Sequence, residues 1–134
     1  MTDLAKFTIA ELRAAFDKGD ATPQDAIESL RSAIETRDAE VKGFLNVEFD
    51  AALAEAAYAD LSKPLGGVPI AIKDLINVKY QPCSCSSKML AGGYVSPYDA
   101  TVIQKLREAG AIPLGRTNMD EFAMGSSTEN SGLQ

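Results

Sequence analysis

The chain contains no histidine. That removes the side chain most often used as a metal ligand and as a general base near neutral pH, so any proton transfer falls to a perturbed lysine, cysteine or carboxylate. Cysteine is nearly absent too. Cys83 and Cys85 are the only two, too few for a disulfide framework. Two thiolates without histidine would fill half of a four-ligand zinc site, and a bond between them across one intervening residue would be strained. No metal site is therefore expected. No apolar run approaches the roughly 18 residues of a membrane-spanning helix, and Met1–Lys6 has neither the charged nor the apolar region of a secretory leader. A reducing cytoplasm is the expected location. Basic residues are outnumbered, 13 Lys and Arg against 19 Asp and Glu for a net charge of −6. They sit among acids, as on solvated helix faces, and form no basic cluster of the kind that grips a phosphate backbone. Repeats and low-complexity stretches are also missing. What remains is ordinary globular material: 134 residues, 46% hydrophobic and 24% charged, enough for one domain with a modest core.

Residues 1–63 read as a helical segment. Thr8-Ile9-Ala10-Glu11 fits a capping box, in which the threonine hydroxyl accepts from a free backbone N–H and the glutamate reaches back. Ile9, Leu12, Ala15 and Phe16 share one face, and Gly19 supplies a C-terminal stop. Thr22-Pro23-Gln24-Asp25 starts a second helix, with proline in the first turn where its missing N–H costs nothing. Ala26, Ile27, Leu30, Ala33 and Ile34 then recur at helical spacing. A third, alanine-rich helix is expected from Phe49 to Leu61.

The pattern changes at Pro64-Leu65-Gly66-Gly67. Val68–Ile72 is a short, wholly apolar run that suits a strand covered on both faces. Asp99 is placed to cap a helix over Ala100–Ala109 that Gly110 closes, and Ala111–Gly115 reads as a second strand, its proline marking an irregular position. Strand, helix, strand at this spacing predicts a crossover unit. The fold class is therefore α/β: N-terminal helices, then over residues 64–134 the first strands and helices of a larger sheet. The tail from Met124 to Ser131 has loop chemistry and no stop signal of a finished domain, so the sheet is expected to be incomplete.

Lys73 follows five apolar strand residues. An ammonium held there lowers its pKa in response to desolvation and becomes a usable base; alternatively it marks the strand end and snorkels to water. Asp74 would point to the opposite strand face. Cys83-Ser84-Cys85 reads as small, partly buried loop residues, and Ser84, Ser86 and Ser87 as turn hydroxyls. In Met124–Ser131, Gly125 lets the backbone approach a ligand, and N–H groups beside hydroxyls suit an amide or carboxylate. The same residues also suit a turn bonding its own backbone.

The order of these pieces is more specific than any one of them. Gly67-Val68-Pro69-Ile70-Ala71-Ile72-Lys73-Asp74, then Tyr98-Asp99-Ala100-Thr101-Val102, Leu106 to Gly110, and Gly115-Arg116-Thr117-Asn118-Met119-Asp120-Glu121-Phe122-Ala123 resemble the motifs of the amidase-signature family, in that family's order. With the continuation Met124–Ser131, the string is most similar to the branch of A subunits found in aspartyl/glutamyl-tRNA amidotransferases. The resemblance covers Leu65 to Gln134 closely. Leu75, where a polar residue is frequent, and Tyr80, where glycine is common, depart from it.

The resemblance implies a mixed α/β sheet and a Ser–cis-Ser–Lys triad in which Lys73 is the base. A neutral lysine would take a proton from a bridging serine, which activates a nucleophilic serine to attack a carboxamide carbon. Ala123, Met124, Gly125 and Ser126 would line the substrate pocket. Both triad serines belong to a Gly/Ser-rich segment downstream of this motif, which Ser126 and Ser127 do not match. The 134 residues alone are accordingly expected to be inactive. The substrate implied is glutamine, whose ammonia would convert mischarged Glu-tRNA(Gln) or Asp-tRNA(Asn) to the amide forms. B and C subunits are the implied partners, with ATP and magnesium held by the partner and no cofactor in this chain. A stand-alone amidase of the same family, or a non-catalytic interaction or remnant chain, are the competing readings.

Overall fold

A computed structural model describes residues 3–134; Met1 and Thr2, part of the stretch read for a leader, lie outside them. The expected capping box forms, and the structure adds a second. Thr8 and Glu11 exchange hydrogen bonds at the start of α1 (Ile9–Lys18), and Gly19 closes it in the left-handed conformation at φ 76°. Thr22 and Asp25 do the same for α2 (Pro23–Val41), with Pro23 in its first turn. On α1, Leu12, Ala15 and Phe16 are buried as expected. Ile9 is not: it is 50% exposed, because the first residue of the helix lies beyond the neighbours that cover the rest of that face. Leu12 and Phe16 meet Leu4 and Ala26 in one small core.

The N-terminal segment is not purely helical. Phe44–Val47 forms a strand, β1, before α3 (Phe49–Ala56), which ends five residues short of the predicted Leu61. β2 (Pro69–Lys73), α4 (Thr101–Glu108) and β3 (Ile112–Thr117) then make the predicted crossover. β2 and β3 are parallel, while β1 lies antiparallel on the other side of β3. The sheet is mixed, three-stranded, and ordered β1-β3-β2. Asp99 does not cap α4; Ala100 holds the N-cap position without a side-chain bond. Asp99 instead accepts from the backbone N–H of Lys79 at 2.7 Å and pairs with Arg107 at 3.2 Å, tying the helix to the loop that precedes it.

Helices cover both faces. Ile27 of α2, Ala52 and Ala56 of α3, and Ile112 and Leu114 of β3 form one core; full burial of Ile27 and of Leu114 contributes about 1.5–3 kcal/mol each. Ile72, Val78 and Ile103 of α4 form another. Central β3 is buried over Ile112–Arg116. β2, read as covered on both faces, is not. Ile72 is buried but Ala71 and Lys73 are exposed. β2 is an edge strand, and only the face bearing Ile70 and Ile72 has α4 packed on it. Among the described residues, no helix is long and apolar enough to cross a membrane.

Candidate active site

The parallel strands β2 and β3 end side by side, with Lys73 opposite Thr117 and the backbone N–H of Asp74 donating to Thr117 O at 3.2 Å. Carboxyl ends of parallel strands are where α/β sheets place ligands, because the loops leaving them converge there. Lys73 stands at this end as the last residue of β2, and it is exposed.

Asp74 points the other way, into the protein, and is 2% exposed. Its carboxylate accepts from the Ser84 hydroxyl, from the Ser84 N–H at 3.2 Å and from the Ser86 N–H at 3.1 Å. Its backbone oxygen accepts from the Cys85 N–H at 3.1 Å and from Cys83 Sγ at 3.2 Å. The charge is balanced by Arg116 of β3, whose Nε lies 3.4 Å away. That guanidinium is 1% exposed and donates from Nη2 to Ile76 O at 2.5 Å. A buried pair of this kind costs about 3–5 kcal/mol when one partner is removed, since the other charge is left without compensation.

The loop that Asp74 holds reaches across to the loop after β3. Ser86 Oγ donates to Asn118 Oδ1 at 3.1 Å and accepts from the Met119 N–H at 3.2 Å. Ser87 Oγ donates to Glu121 Oε1 at 2.6 Å. Cys85 O accepts from the Phe122 N–H at 3.0 Å, and Ser86 O from the Gly132 N–H at 2.8 Å. Both cysteines carry free thiols, and burial pushes that of Cys83 upward.

The second loop has its own carboxylate anchor. Buried Asp120 accepts backbone N–H groups from Asn130 at 2.9 Å, Thr128 at 3.0 Å and Ser127 at 3.2 Å. These bonds, led by that of Asn130, hold its carboxyl below the ordinary aspartate range. A side chain at Gly125 would collide with Asp120, so glycine is required where the loop folds over its anchor. Ala123, Met124, Gly125 and Ser126 lie on this loop, and all four are exposed. The structure thus brings Lys73 and the Ala123–Ser126 stretch to one end of the sheet, joined through residues 83–87, without direct contact between their side chains.

Backbone strain concentrates here. Cys85 (φ 51°), Ser86 (φ 50°), Phe122 (φ 52°), Ala123 (φ 60°) and Thr128 (φ 68°) are left-handed without being glycine, a conformation that costs about 1 kcal/mol or more per residue and clusters at functional sites. Tyr80 is left-handed as well, at φ 65°, which explains why glycine is common at that position. The sequence reading gave no role to Asp74, Arg116 or Asp120. The available signal was three charged residues in or beside apolar strands. By contrast, a concave space of about 700 Å³ along α2, lined by residues from Asp25 to Arg37, shares no residue with this site.

The model of the family described as amidase matches residues 25–134. In Methylacidiphilum infernorum, the A subunit of glutamyl-tRNA(Gln) amidotransferase is 49% identical over 97% of this chain and 26% of its own length. The crystal structure of the corresponding protein from Thermotoga maritima superposes with a TM-score of 0.77 at 33% identity, covering 98% of this chain and 27% of that one. Native peptide amidase from Stenotrophomonas maltophilia superposes at 0.79 with 30% identity, covering 88% and 26%. The chain thus spans about a quarter of the length of the relatives it matches.

Proposed function

Because the chain belongs to the amidase family, we propose that it forms the N-terminal part of the A subunit of a glutamine-hydrolysing, tRNA-dependent amidotransferase. The observation that carries this reading is 49% identity across nearly the whole chain to a protein of that name. The geometry is consistent with it: the lysine required as base stands at the carboxyl end of a parallel strand, where a sheet of this class offers its ligand site.

In the proposed reaction, a serine from the downstream chain attacks the glutamine carboxamide carbon. Its proton passes through a bridging serine to Lys73 Nζ and then to the departing nitrogen. The C–N bond breaks, ammonia leaves, and water cleaves the acyl-enzyme to glutamate by the same relay. The loop at Ala123–Ser126 forms one wall of the pocket. Lys73 must be neutral to act, which requires an apolar cover; the remaining three quarters of the fold supply it in this proposal. Ammonia would pass to a B subunit that holds ATP and magnesium and amidates mischarged tRNA in the cytoplasm, with a C subunit completing the assembly. The 134 residues alone hydrolyse no amide on this reading.

Lys73→Ala in the full-length protein should lower glutamine hydrolysis by about a thousandfold or more, measured as ammonia release, because acid–base catalysis and nucleophile activation are lost together. Undiminished hydrolysis would remove Lys73 from the mechanism. The likeness to a peptide amidase favours one other reading, an amidase that acts alone. Glutaminase activity that depends on added B and C subunits decides for the amidotransferase; full activity on simple amides without them decides for the amidase.

A further inference from the structure

Asp74 adjoins the proposed base, yet it takes no part in the proton relay. Its carboxylate is spent on the 83–87 loop, and that loop is spent on the next one. Three of its bonds end at Ser84 and Ser86. From Ser86 and Ser87 the bonding continues to Asn118, Met119 and Glu121. The residues at the joints, Cys85, Ser86, Phe122 and Ala123, are all left-handed. Strained backbone of this sort persists only where surrounding contacts over-determine it; here the Asp74 carboxylate holds Ser84 and the Ser86 N–H, its backbone oxygen holds the Cys85 N–H, and the Phe122 and Gly132 N–H groups bond the carbonyls of Cys85 and Ser86. Arg116 fixes that carboxylate from β3, so both parallel strands contribute to a single brace.

We propose that Asp74 is a positioning residue that sets the distance between Lys73 and the substrate loop at Ala123–Ser126, acting through Ser84, Ser86 and Ser87. The proposal rests on the functional reading above. It differs from that reading in assigning Asp74 to substrate placement and not to the base. Loss of the brace lets the 122–126 loop relax toward ordinary backbone angles, which moves the pocket wall while the lysine stays on its strand. A displacement of an ångström at such a wall costs up to about a hundredfold in kcat/KM, here taken up mainly in KM because the base and the nucleophile stay in place.

The test uses the full-length enzyme with its partner subunits. Asp74→Asn should raise KM for glutamine about tenfold or more and change kcat less than about threefold. Labelling of the nucleophilic serine by a small fluorophosphonate, which needs the base but not the glutamine pocket, should proceed at the parent rate. Ser86→Ala, which removes one of the two hydroxyls that bridge the loops, should raise KM in the same direction, and the double variant should be no worse than Asp74→Asn alone, since the two sit in one chain of contacts. Unchanged KM in both variants, or a fall in kcat and labelling at constant KM, overturns the proposal. Should Asp74→Asn fail to fold by circular dichroism, the KM of Ser86→Ala decides in the same way. Lys73→Ala run alongside separates the two ideas: its loss of activity, together with unaltered KM in the loop variants, would sink the brace and leave the functional reading standing.

Discussion

Asp120 shows how much one carboxylate can hold. With three backbone amides donating to it, its folded pKa lies below the ordinary aspartate value of 3.8. A carboxylate with a depressed folded pKa contributes stability that is complete above the unfolded value and drains away as pH falls through the folded one. The loop over 124–130 should therefore stay closed at neutral pH and loosen only as pH falls below the ordinary aspartate range, toward the lower folded value. Hydrogen exchange at the amides of Ser127, Thr128 and Asn130 measures this: their protection should fall with acid while that of Leu114 persists, and protection independent of pH would contradict the anchoring role. The residue scale is also where the sequence was least legible. Lys73 announced itself by contrast, a charge after an apolar run. Asp74 and Arg116 did not, because their partners lie across the fold, Ser84 and Ser86 for one and each other for both. Tyr80 was recognisable as a departure, but its left-handed backbone was not.

Among the elements, Gly115 does what no larger residue could. It sits in central β3 opposite Val47, and a Cβ there would lie 2.5 Å from Asn46 O and 3.0 Å from Val47 Cα. Gly115→Ala should push β1 from the sheet at a cost of about 1–3 kcal/mol. The check is hydrogen exchange at Glu48, whose N–H donates to Leu114 O at 2.9 Å; retained protection there would show that the strands accommodate the methyl group. Helix α1 was legible almost to the residue and α2 at its start, since a threonine cap and a terminal glycine are local signals, whereas the end of α2 at Val41, capped by Lys42, carried none. β1 was not legible. Four residues between two helices carry no useful period, and their only reason to be extended is a partner, β3, far along the chain. Asp99 misled for a related reason: a good local cap lost to a tertiary partner, Arg107, and to the Lys79 amide.

At the scale of the whole molecule, both edges of the sheet stay open. Beyond β1 and beyond β2 no further strand pairs among the described residues, and Met89, Tyr80 and Met124 are exposed by 82%, 75% and 74%. Unpaired edges on a surface that also exposes apolar side chains invite pairing with other chains. The 134 residues expressed alone should self-associate in analytical ultracentrifugation, and the full-length protein should not at the same concentration. A stable monomer from the 134 residues would show that the edges are protected in a way that the mixed sheet alone does not provide. The order β1-β3-β2 has a consequence for synthesis on the ribosome. The middle strand is the last of the three to emerge, so β1 and β2 leave the exit tunnel with nothing to pair with and wait for Ile112–Thr117 to slot between them. Until then the nascent chain has helices but no sheet, and it must be kept from other partners for as long as translation takes to deliver that one strand.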